Sequence, residues 1–317
     1  MTLLYTSPHF LDHQTRPLPE SPRRLSAITN RLESQGWLQR CTLPTWERSG
    51  HDPLMAVHDR DYLLRIEHFC RAGGGHADSD TIVSDESFDV ALLAAGAVCD
   101  AVRRVTAGED RTALCLVRPP GHHAMPAHAM GFCLLGNAAI AARMAVDTLG
   151  LDRVMVIDWD VHHGNGTQAM CYEDPRIGFF SAHRWPFYPG SGDVDETGSG
   201  DGLGATRNVP FAFGVGRREY VNRFTAELED FAAHIKPQLI LISAGFDAHV
   251  HDPVGSLGLE SEDFIELTAA VNNIAAVHAE GRIVSTLEGG YNIRALAESV
   301  TLHLGELFTE PATPPIH

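Results

Sequence analysis

Short runs of β-branched and other apolar residues recur along the chain and predict buried strands. These runs are residues 2–6, 112–117, 153–158, 176–181, 238–243 and 282–287. Between them lie longer segments in which apolar residues recur at helical spacing. The predicted helices are 21–36, 58–71, 86–106, 136–149, 217–235, 260–280 and 292–308. Strands that alternate with helices predict an α/β fold, in which helices cover both faces of a mostly parallel central sheet.

The sequence shows no boundary between two structural units. Its 317 residues contain neither an internal repeat nor a linker, so we predict a single domain over residues 1–317. Two glycine-rich stretches, 71–80 and 189–204, predict long loops because Gly, Asp and Ser supply turns and little to pack.

Charge and cysteine content narrow the class of function. Lys and Arg number 24 against 41 Asp and Glu, which gives a formal net charge of −17. This charge repels nucleic acid and favours cationic ligands. The six cysteines show no CxxC spacing, and the N-terminal residues lack the pattern of a signal peptide. No apolar run reaches the roughly 20 residues that span a bilayer, so we expect a cytoplasmic protein without a membrane or nucleic-acid partner.

Polar signatures follow four of the predicted strands. They are RPPGHHA (118–124), DWDVHHGNG (158–166), AGFDAH (244–249) and EGGYN (288–292). Ligands of an open parallel sheet bind beyond the carboxyl ends of its strands, where the loops converge. Four such signatures on one edge therefore predict one shared site.

One pair within these signatures has the spacing of metal ligands. Asp160 and His162 are two residues apart, so in extended backbone both side chains point the same way. Asp247 is the best candidate for a third ligand because it follows a comparable strand after a flexible Ala-Gly. Two oxygens and one nitrogen leave an open position on Zn²⁺, as catalysis requires. Taken alone, an Asp-x-His pair is more often part of a hydrogen-bonded loop.

Other residues of the signatures can fill the remaining roles of metal-assisted hydrolysis. An imidazole, that of His122 or His123, can take a proton and return it to a leaving amine. Tyr291 can donate its phenol hydrogen to an oxyanion. Asp158 can orient a histidine through its Nδ1 and so fix the tautomer.

In combination, the motifs resemble those of the zinc-dependent histone deacetylase family, particularly its class II-like branch, whose bacterial members include acetylpolyamine amidohydrolases. The matching segments are RPPGHHA, GFC (131–133), DWDVHHGNGTQ (158–168), SAGFDAH (243–249) and LEGGYN (287–292). The likeness extends over about residues 5 to 300. It implies the single-domain arginase/deacetylase fold and a zinc-dependent amidohydrolase that removes acetyl or longer acyl groups from acyl-lysine or similar cationic amides.

Residue-by-residue matching to the family implies particular roles at the site. Asp160, His162 and Asp247 match the zinc ligands. His123 matches the main general base and acid, and His122 its electrostatic companion.

The same matching implies supporting roles around these residues. Tyr291 matches the oxyanion donor, and Asp158 matches the partner of His122. Asp158 and Ser181 would also line a structural potassium site. Where many relatives have a second aspartate, this chain has Asn165, an amide that can orient an imidazole but cannot balance its charge.

Further matches concern the substrate. Phe132 and Tyr188 match the aromatic walls of the family's acyl-lysine tunnel, with Gly131 beside them. Val254 matches a rim position where a polyamine-preferring relative can carry a glutamate, and this neutral rim favours acyl-lysine or a broad small-amide specificity over acetylated polyamine. Arg24 is expected at an inner channel through which acetate leaves, with a surface position as the alternative. Four loop acids could add negative charge at the mouth, although solvated loop charge is the commoner outcome: Asp12, Glu20, Asp78 and Asp80.

Two alternatives belong to other functional classes. Arginase-like ureohydrolases share the fold but bind two manganese ions, and Gly164 and His249 stand where they need further carboxylates. A non-catalytic acyl-amine binding protein would commonly lack the oxyanion donor, whereas Tyr291 is present. The oligomeric state, the acyl-chain length and the physiological substrate do not follow from the sequence.

Overall fold

The structure of the chain is a computed structural model that describes residues 1–309. Its strands are β1 (Thr2–Tyr5), β2 (Gly75–His76), β3 (Ile82–Val83), β4 (Thr112–Cys115), β5 (Val154–Asp158), β6 (Ile177–Arg184), β7 (Thr206–Phe211), β8 (Leu239–Ala244) and β9 (Ile283–Leu287). Its α-helices are α1 (Arg23–Ser34), α2 (His51–Met55), α3 (Arg60–Arg71), α4 (Ser87–Thr106), α5 (Asn137–Asp147), α6 (Asn165–Cys171), α7 (Arg217–Ile235), α8 (Asp263–His278) and α9 (Ile293–Leu307). Residues 310–317 lie outside the described part, so the predicted domain bounds of 1–317 stay a prediction.

Seven strands form one parallel sheet in the order β1-β4-β9-β8-β5-β6-β7. Helices α7, α8, α9 and α1 pack side by side, and α4 packs on α5. The predicted α/β fold, a parallel sheet with helices around it, is confirmed. In the sheet register Asp158, the last residue of β5, pairs with Ser243 of β8. The loops that follow β5 and β8 therefore start side by side at one edge of the sheet.

The sequence patterns missed four short or irregular elements: β7, the β2–β3 hairpin, α2 and α6. Strand β7 reads TRNVPF, in which polar residues and Pro210 interrupt the apolar run. It lies at the edge of the sheet, where a proline is tolerated because its missing N–H can face the open side. Helices α2 and α6 have only 5 and 7 residues, which is too short for helical periodicity to show.

The core lies along the centre of the sheet. Strands β4, β5, β8 and β9 are buried at every residue, as expected when both faces of a parallel sheet are covered. Among residues 1–309, no helix combines the length and the apolarity needed to cross a membrane. The six cysteines all lie in this part of the chain, and each has a free thiol.

His303 of α9 is a titratable group enclosed in this core. Its Nδ1 lies 2.7 Å from Thr268 Oγ1, and its Nε2 lies 2.9 Å from Ser285 Oγ. The ring of Trp159 packs edge-on, with ring centroids 5.4 Å apart. Burial lowers the pKa of His303 to about 3, so the imidazole is neutral in the folded protein.

We expect His303 to make the protein less stable as the pH falls from 7 to 5. The unfolded imidazole takes up a proton near its ordinary pKa of about 6.5, whereas the buried imidazole does not, so acid favours the unfolded chain. His303→Gln should reduce the acid-induced loss of unfolding free energy by about 2 kcal/mol, because each pKa unit is worth about 1.4 kcal/mol. Urea unfolding of both proteins at the two pH values measures this difference. Equal losses in the two proteins would show that His303 is not held neutral.

Candidate active site

Three side chains with metal-binding atoms meet beyond the ends of β5 and β8. Asp160 and His162 follow β5, and Asp247 follows β8. His162 Nδ1 lies 3.0 Å from Asp160 Oδ1 and 3.2 Å from Asp247 Oδ2. All three residues are buried, and their candidate ligand atoms lie within 4.8 Å of one another. The structure thus brings together the three residues that the sequence predicted as one group.

This three-residue cluster has the charge and spacing to hold a divalent cation. Burial opposes a charge on His162, but the carboxylates of Asp160 and Asp247 raise its pKa to about 10. Burial and the nearby Asp160 raise the pKa of Asp247 to about 7. Although it lies close to His162, Asp247 Oδ2 has no hydrogen-bond partner among residues 1–309. The two carboxylates therefore favour a cation between them, and separations near 3 Å suit ligand atoms about 2.0–2.2 Å from one ion.

Backbone groups hold the two carboxylates of the cluster. Val161 N donates to Asp247 Oδ1, and Gly289 N donates to Asp160 Oδ2, each at 2.9 Å. A Cβ added at Gly289 would lie 2.2 Å from Asp247 Oδ2 and 2.5 Å from Asp160 Oδ2. Only a glycine lets the backbone after β9 come close enough to donate this hydrogen bond.

His122 and His123 lie side by side, with ring centroids 3.9 Å apart. His122 Nδ1 lies 3.0 Å from Asp158 Oδ2, and His123 Nδ1 lies 2.7 Å from Asn165 Oδ1. An amide oxygen can only accept a hydrogen bond, so Nδ1 of His123 carries a hydrogen and its Nε2 is free to accept a proton. Asn165 therefore fixes the tautomer of His123.

The surroundings of the two imidazoles give them different charges. Burial disfavours charge on both, but Asp160 and Asp158 raise the pKa of His122 to about 10. Within the described part of the chain, no carboxylate makes a hydrogen bond with His123, and burial together with His122 and His162 lowers its pKa well below the ordinary value. In this arrangement His122 is a cation and His123 is a neutral base. The residue pattern alone left open which of the two could accept a proton, and the family resemblance implied His123.

A narrow cavity of about 230 Å³ leads to these groups. Its lining consists of Asp80, His123, Gly131, Phe132, His162, Phe187, Tyr188, Val254 and Tyr291. The rings of Phe132 and Tyr291 meet edge-on with centroids 5.7 Å apart, and those of Tyr188 and His123 meet edge-on with centroids 5.2 Å apart. The four residues that the sequence assigned to a tunnel thus line one cavity, which reaches His162 of the cluster.

Arg24 lies against Tyr291 inside the protein. It is completely buried, which excludes the surface position. Its guanidinium carbon lies 5.1 Å from the centre of the Tyr291 ring, and its Nε donates to Gly290 O at 2.7 Å. Glu20 is also completely buried, and it accepts a hydrogen bond of 2.7 Å from Arg118. The prediction of Glu20 at the mouth is wrong because this carboxylate balances buried arginines, and buried charge persists only when paired.

The family described as Histone deacetylase domain matches residues 18–307 of the chain. The chain belongs to the histone deacetylase family. The match includes both histidines, the three-residue cluster and Tyr291.

Similar proteins include members of this family from several kingdoms. Human polyamine deacetylase HDAC10 is 39% identical over 309 residues, which cover 93% of this chain and 45% of that protein. The histone deacetylase-like amidohydrolase of Pseudomonas aeruginosa is 38% identical over 275 residues, which cover 86% of this chain and 72% of that protein. The crystal structure of the HDA15 HD domain matches with a TM-score of 0.91 and 34% identity, over 98% of this chain and 91% of that one. The family resemblance and the arginase/deacetylase fold are confirmed.

The histone deacetylase site also contains residues that the sequence patterns missed. Phe187 stacks on His162, with ring centroids 5.2 Å apart and planes 15° apart. The guanidinium of Arg184 lies 4.0 Å from the centre of the Phe187 ring. Glu288 accepts a hydrogen bond of 2.7 Å from Gly121 N and so fixes the turn that carries the two histidines. Phe187 precedes Tyr188 and Glu288 begins EGGYN, so proximity to these motifs was the only available signal.

The predicted potassium residues lie beside each other on neighbouring strands. Asp158 of β5 and Ser181 of β6 are partners in the sheet register. Asp158 Oδ1 accepts a hydrogen bond from Asp160 N at 3.0 Å, and Ser181 Oγ lies 2.9 Å from His183 Nδ1. The potassium site stays a prediction.

Positions that a second metal ion would require lie outside the cluster. A Cβ at Gly164 would lie 2.1 Å from Asp158 Oδ2, so that position has no space for a carboxylate. His249 contacts Ser261, with 3.4 Å between Nε2 and Oγ. His163 lies between His162 and Gly164 in sequence, and its Nε2 lies 2.9 Å from Gln168 Oε1. These contacts disfavour the two-metal ureohydrolase alternative.

Gly289→Ala should destabilise the protein by about 1–3 kcal/mol, the usual cost of overpacking, because the added methyl group meets the carboxylates of Asp160 and Asp247. Gly305→Ala is the matched control. Gly305 lies within α9, where Ala is a better helix former than Gly. A Cβ added at Gly305 would lie 3.6 Å from Trp37, which is ordinary van der Waals contact. Unfolding free energies from urea titration compare the two variants. Equal stability of both would contradict the close approach at Gly289.

Proposed function

We propose that this histone deacetylase-family hydrolase is a zinc-dependent deacetylase that removes acetyl groups from acyl-lysine side chains of peptides or proteins. The proposal rests on one observation, which is that groups with complementary chemical roles lie together at the inner end of one narrow cavity. These groups are the three-residue cluster, a neutral and a charged imidazole, and the phenol of Tyr291. Each supplies a different part of amide hydrolysis.

Asp160, His162 and Asp247 would hold the zinc ion. Their two carboxylate oxygens and one imidazole nitrogen leave an open position for a reacting group. A bound zinc ion polarises an amide carbonyl and lowers the pKa of a water molecule to about 7. Two buried carboxylates lie 3.0 and 3.2 Å from the imidazole nitrogen of His162, and this excess of buried negative charge supports a cation at this place.

His123 is the proposed general base and acid. It is neutral because burial lowers its pKa, and Asn165 holds its Nδ1. Its Nε2 can take a proton from the attacking water as the new C–O bond forms. It can return that proton to the amide nitrogen as the C–N bond breaks, which releases acetate and the free amine. The charged His122 beside it contributes positive charge near the reacting atoms.

Tyr291 is the proposed oxyanion donor. Burial and the nearby Asp247 raise its pKa well above the ordinary value, so the phenol keeps its hydrogen. A protonated phenol in the cavity wall can donate to the carbonyl oxygen as negative charge develops on it. This group disfavours the non-catalytic alternative.

The shape and charge of the cavity favour a slender cationic substrate. Aromatic rings of Phe132 and Tyr188 in the cavity wall can bury a methylene chain on both sides. Val254 adds no charge to the wall, and the net charge of −17 favours substrates that carry positive charge. Acetylated polyamines are the second candidate, because the human relative is named a polyamine deacetylase.

The proposal extends to two features outside the reacting groups. A structural potassium ion would lie beside Asp158 and Ser181, which are neighbours in the sheet register. The six unpaired cysteines favour a reducing compartment such as the cytoplasm.

Chelation should abolish hydrolysis of an acetyl-lysine peptide, and added zinc should restore it. Asp247→Asn should bind less zinc, since a neutral amide replaces one of the two carboxylates that attract the cation. Elemental analysis of the purified proteins should show that zinc content and activity change together. Full activity after complete metal removal would contradict the proposal.

The phenol is tested separately with the same peptide. Tyr291→Phe should bind zinc as the wild type does and lower kcat by about 10²–10³-fold, as loss of an oxyanion donor does elsewhere. Unchanged kcat in this variant would exclude the donor role and leave the metal site intact.

Substrate choice is tested at Val254. The wild type should prefer an acetyl-lysine peptide over an N-acetylpolyamine in kcat/KM. Val254→Glu should shift this ratio toward the polyamine by about tenfold, or about 1.4 kcal/mol, because the added carboxylate attracts a second ammonium group. Val254→Gln has the same length without the charge and should leave the ratio unchanged. A similar shift in both variants would assign the effect to size and not to charge.

A further inference from the structure

Asp252 is a buried carboxylate outside the three-residue cluster that accepts four backbone hydrogen bonds. It is 8% exposed. Its Oδ1 accepts from Val254 N at 2.9 Å and from Gly255 N at 3.0 Å. Its Oδ2 accepts from Tyr291 N at 2.7 Å and from Asn292 N at 3.2 Å. One side chain therefore joins the segment that carries Val254 to the segment that carries Tyr291.

A second contact joins the same two segments. Asn292 Nδ2 donates to His251 O at 2.9 Å. Asn292 also caps α9, where its side-chain oxygen accepts from Ala295 N at 3.1 Å. The start of α9 is thus tied to residues 251–255, and Asp252 supplies the charged part of that link.

Asp252 and Arg24 hold the two ends of the peptide group that joins Gly290 to Tyr291. Among the residues that the structure describes, no hydrogen bond reaches the phenol oxygen of Tyr291. Gly289 and Gly290 precede it, and Gly290 has a φ of 122°, a conformation open to glycine. Arg24 holds the carbonyl of Gly290, and Asp252 holds the N–H of Tyr291.

We propose that Asp252 is a positioning residue that places the Tyr291 phenol for catalysis and joins it to the rim of the tunnel at Val254. This inference rests on the proposed function, in which Tyr291 is the oxyanion donor. A carboxylate can accept at both oxygens, whereas an amide accepts at one oxygen and presents N–H to the other pair of donors. Asp252→Asn therefore loses the hydrogen bonds either to the Tyr291 segment or to the Val254 segment. Because one side chain holds both segments, a shift of that side chain displaces the other segment as well.

The test is a double-mutant cycle on kcat with the zinc-loaded full chain and an acetyl-lysine peptide. Asp252→Asn should lower kcat by at least about tenfold, because misplacement of a reacting group by about 1 Å can cost about 10²-fold. In the Tyr291→Phe background the same change should lower kcat by less than about threefold, because the phenol that it positions is already gone. Zinc content and the far-ultraviolet circular dichroism spectrum should match the wild type.

Asp174→Asn is the matched control. Asp174 is also 8% exposed and also accepts a backbone hydrogen bond, from Arg176 N at 2.9 Å, but it contacts neither Tyr291 nor Val254. It should change stability and leave kcat near the wild-type value. An Asp252→Asn variant with wild-type kcat would overturn the inference. So would an equal loss of kcat with and without the Tyr291 phenol, which would show that Asp252 acts on another group.

A second variant covers the case in which Asp252→Asn does not fold. Asp252→Glu keeps the charge and displaces the carboxylate by one methylene, so it should also lose kcat mainly through Tyr291. If neither variant folds, Asp252 serves stability alone and the inference is wrong. Failure of the proposed function is distinguishable, because it would appear as an inactive wild type or a fully active Tyr291→Phe.

Discussion

Two buried carboxylates face one imidazole nitrogen at the edge of the sheet, and the rest of the site depends on this excess of negative charge. Burying an ion costs several kcal/mol unless other charges and hydrogen bonds compensate for it. The backbone N–H groups of Val161 and Gly289 provide part of the compensation. The positive charge on His122 provides more, because Asp160 and Asp158 raise its pKa. A divalent cation would compensate the remaining negative charge of the two carboxylates. The charge of the cluster is therefore also the physical reason for its proposed cofactor.

The buried carboxylates also give two adjacent histidines different protonation states, and therefore different roles. His122 contacts Asp158 and is charged, while His123 contacts the neutral Asn165 and stays uncharged beside two other imidazoles. A neutral imidazole can accept a proton, and a charged one can stabilise negative charge but cannot accept a proton. The difference between a carboxylate and an amide partner therefore decides which histidine can serve as the base.

Charged groups also hold Tyr291 from two directions. Arg24 donates to the carbonyl of Gly290, and Asp252 accepts from the N–H of Tyr291. Arg24 remains buried because Glu20 lies beside it, so a carboxylate far from the mouth supports a residue of the cavity wall. The glycines before Tyr291 give the backbone freedom, and the two charged side chains limit it.

The apolar runs, the helical spacing and the polar residues at the strand ends determined the parallel α/β fold and the group of Asp160, His162, Asp247, His122, His123 and Tyr291. These features could be predicted because each is a local pattern, and a parallel sheet brings the carboxyl ends of its strands to one edge. Strand β7 escaped prediction because polar residues and Pro210 interrupt its apolar pattern, and the strand order places it at the edge where a proline is tolerated. The burial of Glu20, the stacking of Phe187 on His162 and the four hydrogen bonds of Asp252 were decided by the tertiary structure alone. The burial of Glu20, the stacking of Phe187 and the two hydrogen bonds that Asp252 accepts from Tyr291 and Asn292 depend on contacts between residues far apart in sequence. No local pattern records such contacts.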